Sequence, residues 1–190
     1  MMKKGLLILL CLSFIFNACK KEEENTPNNT GSSTPCNLAQ ENIQFSQIQE
    51  GMNHTQIANI LASNGDHFRT DNLGNGDEMR FYRWSYCNDT KTLDCWLRND
   101  TLALKVKHFS DGSCSNNINQ TSFSNLSVGD PYLSVSTLLA GTGDNFRVDY
   151  HPPSPPFITT FYSWYDCADS LKYIQVWFHN DTSHLITKSF

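Results

Sequence analysis

Charge is what this chain has least of. Charged side chains make up 17% of its 190 residues, 14 Lys and Arg against 19 Asp and Glu, for a formal net charge of −5. So few cations on an acidic body argue against a phosphate-binding surface, and therefore against nucleic acid as a partner. Long apolar runs are also missing. The run from Leu6 to Phe16 covers eleven residues, too few to cross a hydrocarbon core of about 30 Å as a helix. The spacings that mark common site chemistry are absent. The six histidines show no His-Glu-x-x-His, no Gly-x-Ser-x-Gly occurs, and no two cysteines have Cys-x-x-Cys spacing. Gly141-Thr142-Gly143-Asp144 lacks the Lys-Ser/Thr that completes a phosphate loop. These gaps weigh against zinc, thiol-redox, serine-hydrolase and nucleotide chemistry, and no metal or cofactor is expected. What the chain does have is apolar and aromatic, at 39% and 12%. That suffices for a packed body that binds through rings rather than charge.

The first segment addresses the chain and is set aside before folding is considered. Lys3 and Lys4 ahead of Leu6 to Phe16 have the layout of a signal peptide over residues 1–18. Phe16-Asn17-Ala18-Cys19 resembles the bacterial lipobox, in which the cysteine becomes the lipidated N-terminus. Lys20-Lys21-Glu22-Glu23-Glu24 and a Thr/Asn/Ser/Pro stretch follow, so residues 19–36 are expected to be a lipidated Cys19 and a flexible tether. The basic and acidic run resembles the surface-export signals of some bacterial lipoproteins. Cleavage before Cys19 leaves about 172 residues and takes the formal charge to −7, through the loss of Lys3 and Lys4. The lipid would then be the contact with an outer membrane, with the body exposed at the surface or facing the periplasm.

The rest of the chain repeats itself. Phe45 to Asp71 matches Phe123 to Asp149 without a gap, ten of 27 positions being identical. The match resumes with Phe81-Tyr82-x-Trp84-x-x-Cys87 on Phe161-Tyr162-x-Trp164-x-x-Cys167. It continues with Trp96-x-x-Asn99-Asp100-Thr101 on Trp177-x-x-Asn180-Asp181-Thr182. Two units are expected, 37–109 and 123–190, joined by a polar linker at 110–122. In each unit a helix precedes strands. Asn53 with Gln56 is a capping-box pattern ahead of Ile57, Ile60 and Leu61, and in unit two Asp130 is expected as cap with Pro131 at the first helical position. Gly141 suits a left-handed helix stop. Period-two strands follow near Phe68 and over Met79–Tyr86, Leu93–Arg98 and Thr101–Lys107, with counterparts in unit two. The reading is α+β: two tandem helix-helix-four-strand repeats in one continuous antiparallel sheet, with helices on one face. A unit of about 65 residues is marginal alone, which favours one shared sheet. His151-Pro152-Pro153-Ser154-Pro155-Pro156 should form a stiff polyproline-type projection.

Phe45-x-Gln47-Ile48-x-x-Gly51-Met52-Asn53-x-x-Gln56-Ile57 resembles the opening of the β-lactamase inhibitor protein family. It also resembles the small outer-membrane assembly lipoproteins that carry one copy of such a unit. The resemblance to the tandem inhibitor covers the whole folded part. It implies a concave sheet that grips another protein without catalysis, helped by the hairpin tips between the second and third strands. Those tips would be Asn88-Asp89-Thr90-Lys91 and Ala168-Asp169-Ser170, with Asp89 in an anionic role.

Alternation assigns the sheet faces. Leu93, Cys95 and Leu97 alternate with Asp94, Trp96 and Arg98, and Ile174, Val176 and Phe178 with Gln175, Trp177 and His179. The polar sets point away from the helices, which puts Trp96 and Trp177 on the open face and Trp84 and Trp164 in the core. Phe81, Phe161 and Tyr165 join the open face, with Arg98, His179, Lys105, Lys107 and Lys188 as its cations. The expected partner is an unidentified protein, with an extended glycan or a structural role in envelope assembly as alternatives. An enzyme is disfavoured, because Asp66/Asp144 and Arg69/Arg147 recur in both units whereas catalysis needs one asymmetric constellation. Past Cys19 there are five cysteines, Cys36, Cys87, Cys95, Cys114 and Cys167, so one is left over. Either Cys36–Cys114 and Cys87–Cys95 pair and leave Cys167, or the equivalent Cys87 and Cys167 join.

Overall fold

The computed structural model describes residues 37–151 and 157–190. The leader, the lipobox Cys19, Cys36 and the proline segment 152–156 lie outside the described residues. Two helices, α1 (Leu38–Gln47) and α2 (His54–Leu61), precede strands β1 (Asp66–Gly74), β2 (Asp77–Tyr86), β3 (Lys91–Arg98) and β4 (Thr101–Lys107). The order then returns: α3 (Gln120–Ser124), α4 (Tyr132–Leu138), β5 (Asp144–His151), β6 (Phe157–Tyr165), β7 (Tyr173–His179) and β8 (Thr182–Ser189). The eight strands make one antiparallel sheet in chain order, an α+β fold. β4 pairs with β5 through Leu104 opposite Asp149 and Val106 opposite Arg147, so one hydrogen-bonded layer runs through both halves.

Local chemistry accounts for most element ends. At α2 the Asn53 side chain accepts the Gln56 N–H and the Gln56 side chain accepts the Asn53 N–H, the reciprocal box expected. Asn75-Gly76, Asn99-Asp100 and Asn180-Asp181 all have positive φ. Such residue pairs supply the two-residue turns that match strand twist. Two expectations at α4 are corrected. Pro131 is the N-cap and, having no polar side-chain atom, makes no side-chain cap bond, while the Asp130 carboxylate accepts the Ser127 N–H at 2.7 Å instead of capping the helix. The left-handed position is Ala140 (φ 52), as Ala62 (φ 52) is in the first half, rather than Gly141. Gly141 matters through its carbonyl, which accepts the Trp164 indole N–H at 2.7 Å.

Two apolar clusters hold helices to strands. In the first, Phe45, Ile48, Ile57 and Leu61 meet Trp84, Leu93, Cys95, Leu97 and Leu102, and Val148 and Tyr150 of β5 join them. In the second, Ile118, Val135 and Leu139 meet Trp164, Ile174, Val176 and Phe178. The segment read as a linker is tied down: Ser115 is buried, its N–H reaches Tyr165 O at 2.8 Å and its carbonyl accepts the Cys167 N–H at 3.2 Å.

The cysteine pairing differs from both expectations. Cys114 is bonded to Cys167, with 4.9 Å between Cα atoms. That excludes a Cys36–Cys114 bridge and a Cys87–Cys167 bridge. Cys95 is a free, fully buried thiol among Leu93 and Leu97, so it does not pair with Cys87. Adjacent antiparallel strands gave the two residues proximity in sequence, but Cys95 points into the core while Cys87 sits in the turn after β2. Cys87 is itself disulfide-bonded. Cys36 precedes Cys114 by 78 residues, the same offset as Phe45 to Phe123, which leads us to expect Cys36 as the partner of Cys87. Non-reducing peptide mapping is expected to return a Cys114–Cys167 pair and a Cys36–Cys87 pair, with Cys95 alkylated only after denaturation. Alkylation of native Cys95 would contradict this, since burial pushes its thiol far above the reactive range.

Candidate functional site

The strand residues not packed against the helices carry a repeated arrangement. Arg69, Phe81 and Trp96 are register partners across β1, β2 and β3, as are Arg147, Phe161 and Trp177 across β5, β6 and β7. The Phe81 and Trp96 ring centroids lie 4.9 Å apart at 60°, and those of Phe161 and Trp177 lie 4.9 Å apart at 58°. Arg69 sits 4.9 Å over the Phe81 ring, and Arg147 sits 4.8 Å over the Phe161 ring. Each guanidinium is held by a carboxylate two residues on, with Nε to Oδ1 at 2.7 Å in both the Arg69–Asp71 and Arg147–Asp149 pairs. A planar cation fixed by one bidentate carboxylate is oriented for ring stacking and stays charged at any physiological pH.

This changes the expected surface. Phe81 and Phe161 are only 7% exposed, because each lies between its arginine and its tryptophan. Trp96 is half-buried, and Trp177 is 37% exposed. Phe68, 6.1 Å from Phe81, adds an open ring at 52% exposure. Beside the first stack, Arg83 donates to Asp94 with two bonds of 2.7 Å, and His108 Nε2 lies 3.1 Å from the same carboxylate. The second half has the neutral equivalent, Gln175 Nε2 to Ser163 Oγ at 3.0 Å.

Other expected residues are less well gathered. Arg98 is bonded through Nε to Asp77 at 3.1 Å, at the far end of the first hairpin. Tyr165 pairs with Tyr173, 6.0 Å between rings, about 13 Å along β6 from Phe161. Asp89 is exposed in the β2–β3 turn with φ 64, about 17 Å or more along the strands from Phe81, so it is not part of the stack. Lys105, Lys107 and Lys188 are opposite Cys95, Leu93 and Ile174, which places all three on the side of these buried core residues. The reason is one register shift in each half, between Trp96 and Leu97 for β4 and between Trp177 and Phe178 for β8, where β4 and β8 each carry an extra residue and their alternation reverses. The cations of the aromatic side are arginines instead. Sequence reasoning used the recurrence of Arg69 and Arg147 only against an enzyme; the signal for the stack was an Arg-x-Asp that recurs ahead of the same Phe-Tyr-x-Trp in both halves, twelve residues before Phe81 and fourteen before Phe161.

The halves differ at one end. A row of rings crosses β5 to β8: His151 on Phe157 at 4.1 Å, Phe157 to His179 at 5.2 Å, and His179 to His184 at 4.2 Å. Burial first, then the neighbouring His184 and His151, lower the pKa of His179. The folded chain thus prefers His179 neutral, the unfolded chain takes up the proton nearer pH 6.5, and stability falls as pH drops through that window. Thermal melts from pH 7.5 to 5 are expected to show a falling Tm, and His184→Gln a shallower fall. A Tm that rises on acidification would refute the sign. Among the described residues no group of three His, Cys, Asp or Glu is placed to hold a metal, and no helix is long and apolar enough to cross a membrane.

No family model matches the chain, and no curated protein matches it in sequence. Solved structures do match. One is a candidate beta-lactamase inhibitor protein from Streptococcus mutans, with a TM-score of 0.60 and 14% identity over 79% of this chain and 95% of that one. At that identity the likeness is one of fold: the chain has the architecture of a candidate inhibitor protein over nearly the whole of that molecule.

Proposed function

We propose that this protein is a non-catalytic binding module built of two tandem repeats, with helices on one sheet face and the other face left to hold a partner protein. The single observation that carries the reading is the Arg-Phe-Trp stack, present twice with ring separations of 4.9 Å. Tryptophan and arginine dominate the energetics of protein interfaces, and here both are pre-positioned, so little ordering entropy opposes binding. The likeness to a candidate inhibitor protein supports a gripping fold over an enzyme. The proposal includes the Cys19 lipid anchor and placement at a bacterial outer membrane, which rest on the leader sequence.

Trp96→Ala combined with Trp177→Ala is the test. Crosslinking capture from envelope extract is expected to fall at least about tenfold, while Tm moves by only a few degrees, since neither indole is fully buried. Unchanged capture would reject the face as the binding surface, and a collapse in Tm would make the indoles structural. Retention on a glycan array with no protein captured would replace the protein partner by a sugar.

A further inference from the structure

The helix-packed side of the sheet is not fully covered. Between α1 and the start of α4 lies a groove of about 480 Å³ over β4, β5 and β6. That volume falls in the range of small-molecule sites. Phe45, Val148, Tyr150 and Ile158 supply apolar walls. Its polar lining includes Asn42, Gln49, Asp111 and two lysines, Lys105 and Lys107; Lys105 lines the groove yet is only 4% exposed. Its ammonium donates to Phe45 O at 2.7 Å and Ile48 O at 2.6 Å and lies 4.4 Å from the Phe45 ring centroid. An ammonium has three donors, and two are used. Among the described residues no carboxylate forms an ion pair with it, whereas its neighbour Lys107 has Asp144 at 2.5 Å. A buried cation without a counter-charge is costly.

The fold itself does not require that cation. Counting from Trp96 and Trp177, the second unit has Ile186 where the first has Lys105, and Ile186 packs in the second core cluster. Their register confirms the equivalence, Lys105 opposite Cys95 and Ile186 opposite Val176. The same strand position is thus served by an apolar side chain in the second half and by a lysine in the first, where the groove lies. We propose that this groove binds a small monocarboxylate with an apolar acyl body, its head group on Lys105 and its body against Phe45, Val148, Tyr150 and Ile158. The site is separate from the aromatic face and independent of what that face binds.

Dodecanoate, titrated calorimetrically below its micellar concentration, is the probe, with 1-dodecanol as the uncharged control. Dodecanoate is expected to bind one per chain and raise Tm, and dodecanol to bind at least about tenfold more weakly, the difference a charge-assisted contact makes. Lys105→Met should reduce dodecanoate to the dodecanol level. Should that variant fail to fold, Ser46→Trp decides: Ser46 is an exposed α1 residue on the groove rim, and an indole there should exclude dodecanoate. The Trp96→Ala, Trp177→Ala double variant should bind dodecanoate as the parent does. Equal affinity for the alcohol, a Lys105→Met variant that loses Tm but keeps its affinity, or no saturable binding would each overturn the proposal.

Discussion

Gly143→Ala is expected to cost about 3 kcal/mol of stability, the sum of a left-handed backbone penalty and an overpacking penalty. Gly143 has φ +66, and a Cβ built there would stand 2.5 Å from Trp164 Cε2 and 2.8 Å from Cζ2. The indole cannot retreat. It is 2% exposed, its N–H is bonded to Gly141 O at 2.7 Å, and Ile174, Val176 and Phe178 share its cluster. Gly65 repeats the arrangement beneath Trp84, at 2.5 Å from Cε2. Gly51 is the control: its φ is +81 but nothing lies within 4 Å of its added Cβ. Gly51→Ala should therefore cost only about 1 kcal/mol, the backbone part alone. Urea melts of the three variants separate the terms, and equal losses at Gly51 and Gly143 would show that the indole contact contributes nothing.

Lys107→Met is expected to cost about 3–5 kcal/mol, because it strands a buried carboxylate. Lys107 Nζ and Asp144 Oδ1 are 2.5 Å apart with side chains 3% and 2% exposed, and Asn42 Oδ1 lies 2.5 Å from the same ammonium. The pair fastens β4 of the first half to the start of β5. Burial raises the Asp144 pKa, and Lys107 only partly opposes that. The double variant Lys107→Met with Asp144→Leu should accordingly recover most of the loss, since removing both charges removes both desolvation costs. A double variant no more stable than Lys107→Met would mean that the pair's attraction exceeds its desolvation.

How much of this was legible beforehand depended on the range of the interaction. The α2 capping box and the strand alternation around Trp96 and Trp177 are settled within a few residues, and they could be read directly. The lysine assignment failed at one bulge in each half. One extra residue in β4 moved Lys105 and Lys107, and one in β8 moved Lys188, to the other side of the sheet. The cysteine assignment failed for a related reason: nearness along a hairpin was taken for nearness of sulfur atoms, whereas pleating turned Cys95 inward. The common offset of 78 residues is what raises the expectation of a Cys36–Cys87 pair, which peptide mapping checks.

The sequence by itself determined the internal duplication, the α+β order of elements, the capped α2 and the identity of the indoles that alternate with polar neighbours. All of these follow from periodicity and local hydrogen bonding. Only the tertiary structure decided that Phe81 and Phe161 are enclosed by an arginine and a tryptophan, that Cys114 meets Cys167, and that Lys105 borders a groove with no carboxylate paired to it among the described residues. Each of those depends on which strands are neighbours and in what register. Register is a collective property of the whole sheet, and no short stretch of chain encodes it.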